Sequence, residues 1–207
     1  MKKIAIFFLI LLLTACENKD DKKIKVLELK YPADLNIVKR TDWGWVPLTK
    51  SKPEAEITKI TIHHGGVEFT KDKDPVKSIR HLQKWSREEK KWIDIPYHFM
   101  IDLEGKIYEA RPINYPGDTN TEYDPTGHAL IEIMGNYEIQ KLNKKQLNSL
   151  VALSAFLAKK FNVPVSEIKT HRDYSKMTVC PGKDIYKYFE DGSFHKMVEN
   201  KLAQDKN

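Results

Sequence analysis

Between Ile57 and Phe161 the spacing of apolar residues switches repeatedly between two and about three and a half, and this alternation limits the possible folds more than any other feature of the chain. Ile57 to His63, ITKITIH, is β-branched and period-2, which predicts a strand with Ile60 and Ile62 on one face and Thr61 and His63 on the other. Pro75 to Arg87 predicts a helix with Asp74 as its N-cap and Pro75 at its first position. YHFMIDLEGKIYEA predicts a hairpin that turns at Glu104-Gly105, and Ala129 to Gly135, ALIEIMG, a strand buried on both faces. From Lys144 to Phe161, residues Leu147, Leu150, Val151, Leu157 and Phe161 fall on one helical stripe, with Pro164 just beyond the end. SFHKMVENKLA predicts a last amphipathic helix. Strands mixed with helices in this way predict an α/β domain, with a central mixed β-sheet covered by helices on both faces. No repeat or second linker interrupts the chain, so one domain is expected over residues 35–207.

The N-terminus belongs to a different class of segment. MKKIAIFFLILLLTAC opens with Lys2 and Lys3 and continues through an apolar run, Ile4 to Leu13, too short to span a bilayer. LTAC resembles a bacterial lipobox. Residues 1–15 then form a signal peptide, Cys16 carries the lipid, and residues 16–34 form a charged, solvated tether. Lys19-Asp20-Asp21 resembles the acidic tags that send some lipoproteins to the outer cell surface. The expected location is extracytoplasmic, anchored to a membrane through Cys16. Loss of Lys2 and Lys3 with the leader lowers the net charge from +6 to +4, a mild excess suited to a cell wall or membrane surface. No basic stripe interleaved with aromatics is present, which argues against nucleic acid as a partner.

Lipidation of Cys16 leaves Cys180, the chain's other cysteine, without an internal partner. Four roles are open to it: buried small hydrophobe, intermolecular disulfide, nucleophile or metal ligand. His171 lies nine residues before it, and an imidazole with a thiolate favours Zn²⁺ among available metals. His63, at a strand end before Gly65-Gly66, would make a third ligand, and three ligands with an open fourth position mark a catalytic zinc. Adjacent side chains on a strand point apart, so only one of His63 and His64 is expected at such a centre. The same alternation brings either Tyr97 or His98 to the site, but not both.

TDWGWVPL, ITIHHGG, PYHFMIDLEGKIYEARP, IEIMGNY and THRDYSKMTVCPG occur in this order from Thr41 to Gly182. Together they resemble the type 2 N-acetylmuramoyl-L-alanine amidases, the zinc family that includes peptidoglycan recognition proteins and phage amidase endolysins. The resemblance implies zinc ligands at His63, His171 and Cys180, an active-site tyrosine at Tyr97, and a catalytic acid/base at Glu132. Thr178 stands where some members have a catalytic lysine, as in some recognition-protein amidases, and Leu130 where a glycine is usual. His64 and His128 are expected to touch substrate. The implied reaction is hydrolysis of the amide joining the lactyl group of N-acetylmuramic acid to L-alanine, in peptidoglycan or muropeptides, by a monomer. Tyr97 and Thr178 would hydrogen-bond the oxyanion. Non-catalytic recognition proteins often lack the cysteine, so Cys180 favours an enzyme over a lipid-anchored binding module or a disulfide-linked dimer.

Overall fold

Ile60 and Ile62 have no exposed surface, and their strand is paired on both sides within the sheet that organises the domain. The computed structural model describes residues 24–204; the leader and Cys16 lie outside them. The chain forms β1 (Ile37–Val38), α1 (Arg40–Trp43), β2 (Lys59–His64), α2 (Pro75–Glu88), β3 (Phe99–Ile101), β4 (Ile107–Glu109) and β5 (His128–Ile133). It continues through α3 (Lys144–Phe161), β6 (Ile168–Thr170), α4 (His171–Tyr174), α5 (Lys183–Glu190) and α6 (Ser193–Gln204). The strands order as β1-β4-β3-β5-β2-β6, and the β3–β4 hairpin is the one antiparallel pairing among them.

Both faces are covered, as the apolar pattern predicts. Ile60, Ile62, Phe99, Ile131 and Ile133 pack with Leu150, Leu153 and Leu157 of α3, Ile185 of α5 and Phe194 of α6. Met100, Tyr108 and Met134, on the other side, pack with Trp43, Phe69 and Ile79 of α2. Asp74 caps α2 by accepting from the Val76 and Lys77 amides at 2.9 and 3.2 Å. A capping box between Asn143 and Gln146 starts α3, and Asn162 in the left-handed conformation ends it. The buried arc of α3 runs through Leu150, Leu153, Ser154, Leu157 and Ala158, while Leu147, Val151 and Phe161 of the expected stripe are only partly buried. The helix is wedged between the sheet and α6, so the neighbour as well as the sheet decides its buried face.

Residues 24–34, whose composition predicted tether, lie against the domain instead. Leu29 is buried in the core, and the Leu27 amide donates to Asn114 Oδ1 at 3.1 Å. Asn114 Nδ2 returns a bond to Lys25 O at 2.8 Å, and the Tyr31 hydroxyl donates to Glu109. The charged run of residues 17–23 hides this behaviour, because the apolar residues Val26, Leu27, Leu29 and Tyr31 follow it closely and read as its continuation.

The parallel pairings also place the chemistry. His64, Ile133 and Ile101 stand in register, so β2, β5 and β3 end along one edge of the sheet. β6 runs the same way and passes directly into α4 at His171. Ligand sites in open α/β sheets form at such carboxyl edges.

Candidate metal centre

His63 emerges at the end of β2 on the same face as Thr61 and is 2 % exposed. His171 opens α4, held there by Asp173, whose carboxylate accepts from the Thr170 amide at 2.8 Å and its hydroxyl at 2.7 Å. Cys180 arrives on the following loop, which the Arg172 amide anchors by donating to Cys180 O at 2.9 Å. Gly182, at φ +89°, lets that loop lie against Tyr137, where a Cβ would come within 2.4 Å of backbone carbon. One donor atom from each of His63, His171 and Cys180 lies within 4.8 Å of the others, and all three residues are buried. His63 Nδ1 stands 3.7 Å from Cys180 Sγ, and the sulfur accepts from the His64 amide at 3.3 Å.

Burial sets the charge state of this cluster. It pushes His63 well below the ordinary histidine range, helped by the facing His171, and lowers His171 to about 4. It raises the Cys180 thiol to about 12, partly offset by the bond from the His64 amide. Two neutral imidazoles and a sulfur that accepts a backbone hydrogen bond form a donor set suited to a cation. Two nitrogens and one sulfur fit Zn²⁺, which would hold the sulfur as thiolate.

The cluster floors a groove of about 610 Å³. Tyr97 lines it, its ring centroid 5.3 Å from that of His63. Burial, then the proximity of Cys180 and Glu132, keeps the Tyr97 hydroxyl far above the ordinary phenol range, so it stays a donor. His98 points away: Nδ1 accepts from the Leu130 amide at 2.8 Å and Nε2 faces Tyr115 O at 2.9 Å. One of the pair therefore reaches the site, as alternation requires, although the chain bends before β3 and puts Tyr97 on the side opposite to Phe99. Thr178 also lines the groove, its hydroxyl accepting from the Cys180 amide at 3.1 Å.

Glu132 stands in register with His63 but lies behind Gly65, on the wall of an adjoining cavity of about 440 Å³. Its Oε2 is buried with no hydrogen-bond partner, and burial raises the carboxyl to about 8. Both histidines of the pair reach the groove, because the strand ends there, but only His63 joins the cluster. The His64 ring is held by the Tyr137 amide, which donates to Nδ1 at 3.1 Å.

His128 does not reach the groove, contrary to its expected contact with substrate. It opens β5 at the far end of the strand pair, where Nδ1 meets the Thr61 hydroxyl at 2.8 Å and the ring packs between Tyr123 and Tyr174. The sequence reading missed Thr121 and Tyr123. Thr121 Oγ1 is 2.7 Å from His171 Nε2, and the Tyr123 hydroxyl is 3.3 Å from His63 Nε2. Period-2 spacing within TNTEY is the one local signal that could have found them.

Several known proteins are similar to this chain in sequence or in fold. Mouse peptidoglycan recognition protein 1 is 28% identical over 158 residues, covering 74% of this chain and 86% of the relative. The solved Drosophila PGRP-SD superposes with a TM-score of 0.68 at 25% identity, over 76% of this chain and 94% of that one. Drosophila PGRP-LB, solved as a point mutant in complex with tracheal cytotoxin, gives 0.63 at 26%, over 74% and 92%. The N-acetylmuramoyl-L-alanine amidase LysC of Clostridium intestinale gives 0.57 at 26%, over 72% and 89%. Residues 53–183, which carry every member of the cluster, match the N-acetylmuramoyl-L-alanine amidase family, and the chain belongs to that family.

Proposed function

We propose that this protein is a zinc-dependent peptidoglycan amidase that hydrolyses the amide between N-acetylmuramic acid and the L-alanine of the stem peptide. The observation that carries the reading is the convergence of His63, His171 and Cys180 at the floor of an open groove. Zn²⁺ held by these three would supply Lewis acidity, activating a water and polarising the scissile carbonyl. The chain's own residues do the rest. Tyr97, kept protonated by burial, donates a hydrogen bond to the oxygen that gains charge, and the Thr178 hydroxyl does so from the opposite segment. Glu132 has an unpartnered oxygen and a carboxyl that burial raises to about 8; in its ionised form it accepts a proton from the attacking water and returns it to the leaving amine. Gly65 leaves its carboxyl room between the two cavities.

A lipid on Cys16 would hold the enzyme at an extracytoplasmic membrane surface. A second reading, a binding module that holds muropeptides without cutting them, is favoured by the names of the recognition-protein relatives and by the tracheal cytotoxin complex. An intermolecular disulfide is disfavoured, because Cys180 is 7 % exposed. Digestion of purified peptidoglycan and muropeptides, with and without a chelator, separates the readings by product mass. Free stem peptide that disappears on chelation supports the amidase; binding without any product supports the module.

A further inference from the structure

We propose that Thr121 and Tyr123 are positioning residues of the metal centre, whose hydroxyl oxygens accept the Nε2–H groups of His171 and His63 and so leave the Nδ1 lone pairs of both rings free for a cation. The inference rests on the zinc reading above and adds residues outside the three-ligand set. A neutral imidazole carries one N–H and one lone pair, and the partner of the N–H fixes the ring's tautomer and orientation. Thr121 Oγ1 lies 2.7 Å from His171 Nε2, and the Tyr123 hydroxyl 3.3 Å from His63 Nε2. His63 Nδ1 faces the sulfur at 3.7 Å. A cation among the donors requires lone pairs there and leaves the protons on Nε2, where these oxygens stand. Thr119 Oγ1, 2.9 Å from Thr121 Oγ1, gives the Thr121 hydroxyl a second partner.

The loop that carries both residues is built to hold them still. Gly117 passes so close to Leu130 and Pro96 O that a Cβ would lie 2.3 and 2.7 Å from them. Asp118 is salt-bridged to the fully buried Arg111 and to Lys52. Thr121 and Tyr123 alternate toward the histidines, while Glu122 between them accepts from the Ser175 hydroxyl at 2.7 Å. The Tyr123 ring stacks on Tyr174 at 5.5 Å and 21° and packs on His128, whose own orientation the Thr61 hydroxyl fixes. His128 thus supports the site from behind.

Zinc affinity of the metal-free full-length chain, titrated against a chromophoric chelator, tests the proposal without reference to turnover. Thr121→Val keeps the side chain's shape and removes its hydroxyl; Thr121→Ser returns it. Thr121→Val and Tyr123→Phe are expected to loosen zinc by roughly 10- to 100-fold each, and Thr121→Ser to bind close to the parent. Parent-like affinity in both the Val and Phe variants, or a Ser variant no tighter than Val, would overturn it. A parent chain that binds no zinc sinks the metal reading itself, an outcome distinct from either of those.

Discussion

The main-chain N–H of His64 donates to Cys180 Sγ at 3.3 Å, joining the end of β2 to a loop 116 positions further along the chain. A sulfur that receives a backbone hydrogen bond is prepared to carry negative charge, although burial, with Glu132 nearby, still holds the thiol near 12. Replacing it with a hydroxyl keeps a small polar side chain and removes the soft donor. In Cys180→Ser, zinc per purified chain should fall well below one, and hydrolysis should drop to the level of chelated parent. Full zinc occupancy in that variant, measured by atomic absorption, would remove Cys180 from the ligand set.

Gly65 separates the metal groove from the cavity that holds the Glu132 carboxyl, and a Cβ there would lie 2.6 Å from Glu132 Oε1. Gly65→Ala should therefore displace the carboxyl, slowing amide cleavage at least tenfold with near-normal zinc binding and a stability loss of about 1–3 kcal/mol. Glu132→Gln should slow cleavage by roughly 10²- to 10⁴-fold, the range for a lost acid/base group. An unchanged rate in Glu132→Gln takes Glu132 out of the mechanism.

Glu132 and the buried histidines, His98 among them, pull the pH dependence of stability in opposite directions. Burial raises Glu132 from 4.5 to about 8, so the folded chain holds that proton more tightly than the unfolded one. Its contribution is complete below pH 4.5 and drains away as pH rises toward 8. Burial lowers His98 from 6.5 to about 3, so its contribution is present above 6.5 and is lost as pH falls toward 3. Urea titrations of the metal-free chain should show stability declining on both sides, by up to ~1.4 kcal/mol per pH unit for each group. Glu132→Gln should flatten the alkaline decline alone; a decline that persists unchanged would assign it elsewhere.

The strap before β1 is expected to be part of the folding unit. Tyr31→Phe leaves Glu109, 2 % exposed, without its hydroxyl donor and should cost about 1–3 kcal/mol. A chain beginning at Leu35 also loses Leu29 and the two bonds to Asn114, and should melt well below one beginning at Ile24. Equal melting temperatures for the two would show that the strap is an ornament on the fold.

Much of the fold was legible because its signals are local. Lys144–Phe161 carries its own capping box, Asp74-Pro75 starts α2, and β-branched alternation marks β2. The fully buried β5 reads as a mostly apolar run. β1 and β6 were not legible: they are two and three residues long and exist through pairing with β4 and β2. The candidate cluster of His63, His171 and Cys180 was readable from residue chemistry and from ordered motifs. Its hydroxyl partners were not, since nothing in a loop's sequence says which side chains a distant histidine will meet. His128 was misplaced for a related reason: a polar residue beside a site strand was read as facing the cleft, whereas its ring turns to Thr61, Tyr123 and Tyr174 behind the histidines.

The strap that packs Leu29 and Tyr31 onto the domain would also limit how far the groove could travel from a lipid on Cys16. From Cys16 the chain can span at most roughly 60 Å to Leu35, but at most roughly 30 Å to Lys25, where the strap is already bonded to Asn114. That is about the thickness of the bilayer's own hydrocarbon layer. An anchored enzyme of this design would graze the wall material nearest its membrane, and its leash length would decide which strands are within reach.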